Sequence, residues 1–167
     1  VRQKSPGVTI EVLTSDFGGN RAAWQMVVEA SPSIFNHNLE TVRELTPRVR
    51  HKATYDRTLE LLHYASTHRL HAGVKIKSGI MVGLGETEAQ VYQSLKDLKN
   101  AGCDIVTIGQ YLQPNRQKLL VKSFVTPETF KRYEAFGNEL GLLYVYSGPF
   151  VRSSYNADKV LTTCSAY

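Results

Sequence analysis

The sequence predicts an α/β protein built on a parallel sheet. Three observations carry that prediction. Five short apolar runs read as strands, the stretches between them place apolar residues at helical spacing, and glycines and polar side chains gather where the runs end. Strands that alternate with helices connect by right-handed crossovers, and ligands then bind beyond the carboxyl ends of the strands.

The elements follow in order. Residues 8–13 (VTIEVL) alternate as a strand, and 20–30 (NRAAWQMVVEA) read as a helix. Residues 34–38 form a short strand. Residues 54–69 put Leu59, Leu62 and Ser66 on one helical face, with Leu61 and Ala65 beside it. Residues 74–84 are a long strand. In 87–101, Val91, Leu95 and Leu98 fall at helical spacing, and Gly102 stops the helix. Residues 105–112 give the next strand. Thr126, Pro127 and Glu128 then open a helix as cap, first residue and acidic first turn, with Phe130, Tyr133 and Leu140 on its apolar face. Residues 142–146 are the last strand, and a polar tail follows. The first strand begins within eight residues of Val1, where a barrel or doubly wound sheet would have begun earlier. The expectation is a piece of something larger, divided into residues 1–150 and a tail, 151–167.

Composition excludes several classes. The 167 residues suffice for one domain with a real core, and the 42% hydrophobic content fits a folded globular chain. No apolar run approaches the ~20 residues that span a bilayer, and VRQKSPGVTIEV lacks the apolar core of a secretion signal. The net charge is +5, but the basic residues are scattered in twos and threes between apolar positions. They read as solvated surface, so neither a nucleic-acid nor a membrane partner is expected. The two cysteines, Cys103 and Cys164, belong to no ligand spacing and make no disulfide scaffold. Cys103 reads as a buried thiol and Cys164 as incidental.

The chemistry-bearing residues sit at the strand ends, including Ser15, Asp16 and Gly18 after the first. Asn36, His37, Asn38 and Glu40 make either a capped turn or, if the strand continues, an amide and a carboxylate side by side that clamp a ribose-like diol. Gly83, Gly85 and Glu86 lack the Gly-Lys-Ser/Thr of a phosphate loop, and Glu86 repels an anion where one would sit. They suit a cationic or hydroxylated ligand, or simply a strand-to-helix turn. Gln110 reads as a donor and acceptor facing the site, or as a satisfied strand-end amide. His37 has no second ligand at metal spacing, and His51, His63, His68 and His71 read as surface.

Taken together, FNHNLETV (35–42), 49–53 leading into YDRTLELL, KSGIMVGLGET (77–87), DIVTIGQYLQP (104–114) and GPFVRSSYNA (148–157) resemble lipoyl synthase, a radical S-adenosylmethionine (SAM) family. They run in the family's order from about Ser5 to Ala157. HNLE is also similar to biotin synthase, but IGQYLQP and RSSYNA are not.

The resemblance implies a partial (β/α) radical-SAM barrel, here a C-terminal portion with about five parallel strands. It implies SAM and two 4Fe–4S clusters, one to cleave SAM and one to supply the two sulfur atoms inserted at C6 and C8 of a protein-bound octanoyl group. The partner it implies is an octanoylated lipoyl-carrier domain, of a dehydrogenase subunit or of the glycine cleavage system. Asn38 and Glu40 match ribose contacts; Gly83, Gly85 and Glu86 match the turn beside the adenosine; Gln110 and Tyr111 match the strand lining that pocket. Ser154 matches an oxygen ligand to one auxiliary-cluster iron, with Arg152 beside it. A hard serinate among thiolates suits an iron that leaves. The family holds its clusters on C-x4-C-x5-C and C-x3-C-x2-C, and this chain has neither. An isolated chain is therefore expected to be inactive. The alternatives are another sulfur inserter similar to biotin synthase, or a cluster-free nucleoside- or SAM-binding module. The expected location is a bacterial cytoplasm, with a mitochondrial or plastid matrix as the alternative.

Overall fold

The computed structural model describes residues 1–154; Tyr155 of RSSY, the rest of the tail and Cys164 lie outside the described residues. Strands β1 (Glu11–Leu13), β2 (Ile34–Asn36), β3 (Lys75–Val82), β4 (Ile105–Gln110) and β5 (Tyr144–Gly148) form one sheet in that order, every neighbouring pair parallel. Helices α1 (Arg21–Glu29), α2 (Thr46–Val49), α3 (Tyr55–His68), α4 (Glu88–Asn100) and α5 (Pro127–Glu139) fill the crossovers. The long helices start where side chains satisfy the free N–H groups. Asn20, Thr54, Thr87 and Thr126 each accept from the first turn, and Gln90 answers Thr87 in a capping box.

Strand order decides between the two parallel architectures. A doubly wound sheet reverses its order and carries helices on both faces. Here the order never reverses, and one core joins the helices to one face only. Phe35, Ile76, Ile80, Val82, Val106, Ile108 and Val145 of the strands pack against Trp24, Leu61, Leu62, Leu95, Leu98 and Phe130 of the helices. Leu61, Leu62, Leu95 and Leu98 are completely buried, each contributing roughly 1.5–3 kcal/mol. The opposite face is the inner wall of a partial barrel. It carries a small cluster of Ile34, Ile105, Tyr144 and Tyr146, and beside it Lys77, fully buried against Glu11.

Several elements differ from the sequence expectation: the strands expected over 74–84 and 105–112 run 75–82 and 105–110, and α2 was not expected. Only residues 11–13 of 8–13 pair, because β2 offers three partners and Val8 projects into solvent. The last strand runs 144–148 rather than 142–146. Leu142 is taken up by the helix-to-strand turn, where its N–H donates to Gly137 O. The strand expected over 34–38 stops at Asn36. The Ser15–Gly19 stretch serves the fold: the Asp16 carboxylate meets Arg57 at 2.6 Å, and Asp16 O accepts from the buried Trp24 indole.

Candidate functional site

A cavity of about 280 Å³ opens on the inner face at the carboxyl ends of β3 and β4, where parallel folds place ligands. Asn38 and Glu40 stand on one side, Gly79, Met81, Thr107 and Gly109 form the floor, and Tyr111, Leu112 and Pro114 make a second wall. Val151, Arg152 and Ser153 close the third side.

Asn38 and Glu40 reach the cavity by an unexpected path. After Asn36 the chain leaves regular pairing but still follows β3: His37 N donates to Lys77 O, Leu39 N to Ser78 Oγ, and Glu40 N to Gly79 O at 2.9 Å. Glu40 adopts φ 72, a left-handed conformation rare for a residue with a side chain. Its carbonyl accepts from Met81 N at 2.8 Å, and Arg50 donates to Asn38 O at 2.6 Å. Both side chains therefore face one cavity because the backbone is pinned from two sides, not because an extended strand alternates.

The floor is unusually bare. A Cβ on Gly79 would lie 2.6 Å from Thr107 Oγ1 and 3.0 Å from Asn38 Oδ1. Asn38 Oδ1 is itself buried without a hydrogen-bond partner. A buried orphan acceptor next to a carboxylate, over a glycine floor, fits a ligand that brings hydroxyl or N–H donors.

The glycine-rich turn lies elsewhere. Glu86 folds back so that its carboxylate accepts from Gly83 N and from Leu84 N at 2.9 Å. It thereby fills the anion position of its own turn. Gly83 (φ 96) leaves no room for a side chain, since a Cβ would lie 2.2 Å from Gln110 Nε2 and 2.5 Å from Ser123 O. Gly83 O accepts from Lys122 N at 2.8 Å. Gly83, Gly85 and Glu86 thus line no part of the cavity; Gly83 and Glu86 hold the base of the 111–125 loop that does.

Gln110 is at the cavity edge, but its amide is engaged. Oε1 accepts from Val125 N at 2.9 Å, and Nε2 donates to Ser123 O and Tyr111 O at 3.0 Å each. Tyr111 hydroxyl donates to Leu119 O at 2.9 Å. These two side chains tie a long irregular loop to the end of β4. Ser154 is exposed, one residue beyond the cavity wall.

His37 is a core histidine, placed between Thr14 O (2.9 Å) and Thr58 Oγ1 (3.2 Å). Burial holds its pKa below the ordinary value. Among the described residues no group of three or more His, Cys, Asp or Glu side chains is arranged to hold a metal. Cys103 is enclosed in the apolar core, which raises its thiol pKa. The sequence had not singled out Gly79, Thr107, Gly109 or Val151. The available signal was a glycine inside each of two strand patterns, which marks a close approach.

Comparison with known proteins decides the family. The radical SAM superfamily pattern matches residues 1–98. The chain belongs to the radical SAM superfamily.

Within that superfamily its similarity extends over nearly the whole chain. It is 65% identical over 161 residues to the lipoyl synthase of Protochlamydia amoebophila (strain UWE25), covering 96% of this chain and 50% of that protein. It is 56% identical to the lipoyl synthase of Chlamydia felis over 96% of this chain and 51% of that one. For the lipoyl synthase of Flavobacterium johnsoniae the figures are 52%, 95% and 54%. The chain spans about half the length of the curated relatives it matches. A radical SAM partial barrel accounts for the sequential strand order and the one-sided helices.

Proposed function

We propose that this chain is the nucleoside-binding half of a lipoyl synthase, and that the whole protein inserts two sulfur atoms at C6 and C8 of an octanoyl group carried on a lipoyl-carrier domain. The observation that carries the proposal is the pairing of Asn38 and Glu40 over Gly79, with Asn38 Oδ1 buried and unpartnered. The orphan acceptor and the adjacent carboxylate suit the two hydroxyls of a ribose, as SAM offers.

SAM and the clusters, when bound, supply the radical and the sulfur. The residues of this chain bind and orient. Glu40 and Asn38 would accept from the ribose hydroxyls, Gly79 would leave room for the ligand over the sheet, and Tyr111, Leu112 and Pro114 would shield one side from water. The chain does not fit a cluster. Of its two cysteines, Cys103 is a core residue and neither has ligand spacing. Ser154 is proposed as a single oxygen ligand to an auxiliary cluster otherwise held by residues outside this sequence, with Arg152 beside it. The isolated chain is proposed to be inactive, and the whole protein to work in a bacterial cytoplasm.

The test compares two preparations. The whole protein, reconstituted with iron and sulfide and given SAM and a reductant, should convert an octanoylated carrier domain into a product heavier by two sulfur atoms less the hydrogens they replace. The 167-residue chain alone should develop no visible iron–sulfur absorbance and should leave SAM intact. A chain that gained that absorbance and cleaved SAM would overturn the division of labour. A whole protein without sulfur insertion would overturn the activity.

A further inference from the structure

Gly109 lies under the segment that closes the cavity. It pairs with Met81 on one side and with Gly148 on the other. From Gly148 the chain turns, with Val151 N donating to Gly148 O at 3.1 Å, and comes back over the end of β4. A Cβ on Gly109 would lie 2.2 Å from Val151 O and 3.2 Å from Val151 C. Those are backbone atoms, so no side-chain rotation relieves the overlap. Arg152 Nη1, which donates to the same Val151 O at 2.8 Å, would be 3.4 Å away.

We infer that Gly109 is a positioning residue: its bare backbone seats the 148–153 strap across β4, and the seated strap sets the third wall of the SAM cavity. The inference rests on the proposed nucleoside reading of that cavity. Val151 is the strap's buried side chain, whereas Phe150 is 82% exposed. Residues 151–153 all line the cavity, and Ser154 follows directly. One added methyl at position 109 therefore has to lift the whole wall, and Ser154 with it. At Gly79, the other strand glycine of the floor, the nearest atoms are side-chain atoms of Thr107 and Asn38 rather than backbone.

The experiment uses the whole protein in four forms: unaltered, Gly109→Ala, truncated after Gly148, and both changes together. SAM affinity is measured by calorimetry. Gly109→Ala and the truncation should each weaken SAM at least about tenfold, the loss of one good contact. The combined form should bind no worse than the truncated one, because two changes acting through one element do not add. A purely structural glycine would weaken the truncated form further, and that result would overturn the inference, as would unaltered binding in Gly109→Ala.

A readout without SAM separates this inference from the proposed function. Amide exchange at Val151 should rise about tenfold or more in Gly109→Ala as the strap lifts. Failure of the unaltered protein to bind SAM would remove the nucleoside reading and with it the cavity part of the inference. Unchanged exchange at Val151 would remove the seat itself.

Discussion

The ammonium of Lys77 lies 3.0 Å from both carboxylate oxygens of Glu11, with the lysine side chain wholly buried. Asn36 Nδ2 adds a donor to the same carboxylate at 2.6 Å. The pair ties β1, an edge strand of three residues, to the centre of the sheet beneath the cavity. Breaking a buried pair leaves an uncompensated charge, which costs about 3–5 kcal/mol, whereas replacing both partners with apolar groups costs far less. Glu11→Leu should therefore lower the unfolding midpoint in urea sharply, and Glu11→Leu with Lys77→Met should recover most of the loss. Equal midpoints for the single and double variants would contradict this.

Burial of His37 sets a pH dependence. Its folded pKa lies below the ordinary 6.5, so the unfolded chain takes up a proton first as pH falls. The stability contributed by neutral His37 is complete above that value and is lost as pH falls through it toward the folded pKa. Urea midpoints should decline as pH falls through the ordinary 6.5 toward the lower folded value, and His37→Gln should flatten the decline. An unchanged slope in the variant would show that other groups carry it.

Glu86 braces the base of the 111–125 loop through Gly83 and Leu84. Glu86→Ala leaves Gly83 N and Leu84 N without their acceptor, at a cost of about 1–3 kcal/mol. Since Gly83 O holds Lys122 N, amide exchange should accelerate across 111–125 more than in α4. Faster exchange confined to residues 83–86 would count against this role.

Gly79→Ala tests the floor. The atoms nearest the added methyl belong to the side chains of Thr107 and Asn38 rather than to backbone, so the loss of stability should be smaller than for Gly109→Ala. Asn38 must swing away, and SAM binding by the whole protein should weaken about tenfold, one hydrogen bond's worth. Wild-type affinity in calorimetry would show that Asn38 does not contact the ligand.

Asn38 shows how far the sequence could go. That Asn38 and Glu40 belong near a strand end was legible in FNHNLE. The route was not, because the left-handed Glu40 depends on Gly79 O and on Met81 N, some forty residues away. Gln110 and Glu86 were legible as polar strand-end residues. Their engagement was not, because both brace the 111–125 loop, and a loop without periodicity gives no sign of what holds it.

The order of the strands and of the long helices, the cap at Thr126 and the motifs that tie the chain to its family were legible in the sequence alone. These are local patterns of spacing and residue type, readable without knowing what lies opposite. That all the long helices cover one face, that Lys77 is buried on the other, and that Gly109 lies beneath Val151 O could be read only in three dimensions. Each of those depends on parallel register between strands separated by a crossover, which alternation within a single strand does not specify.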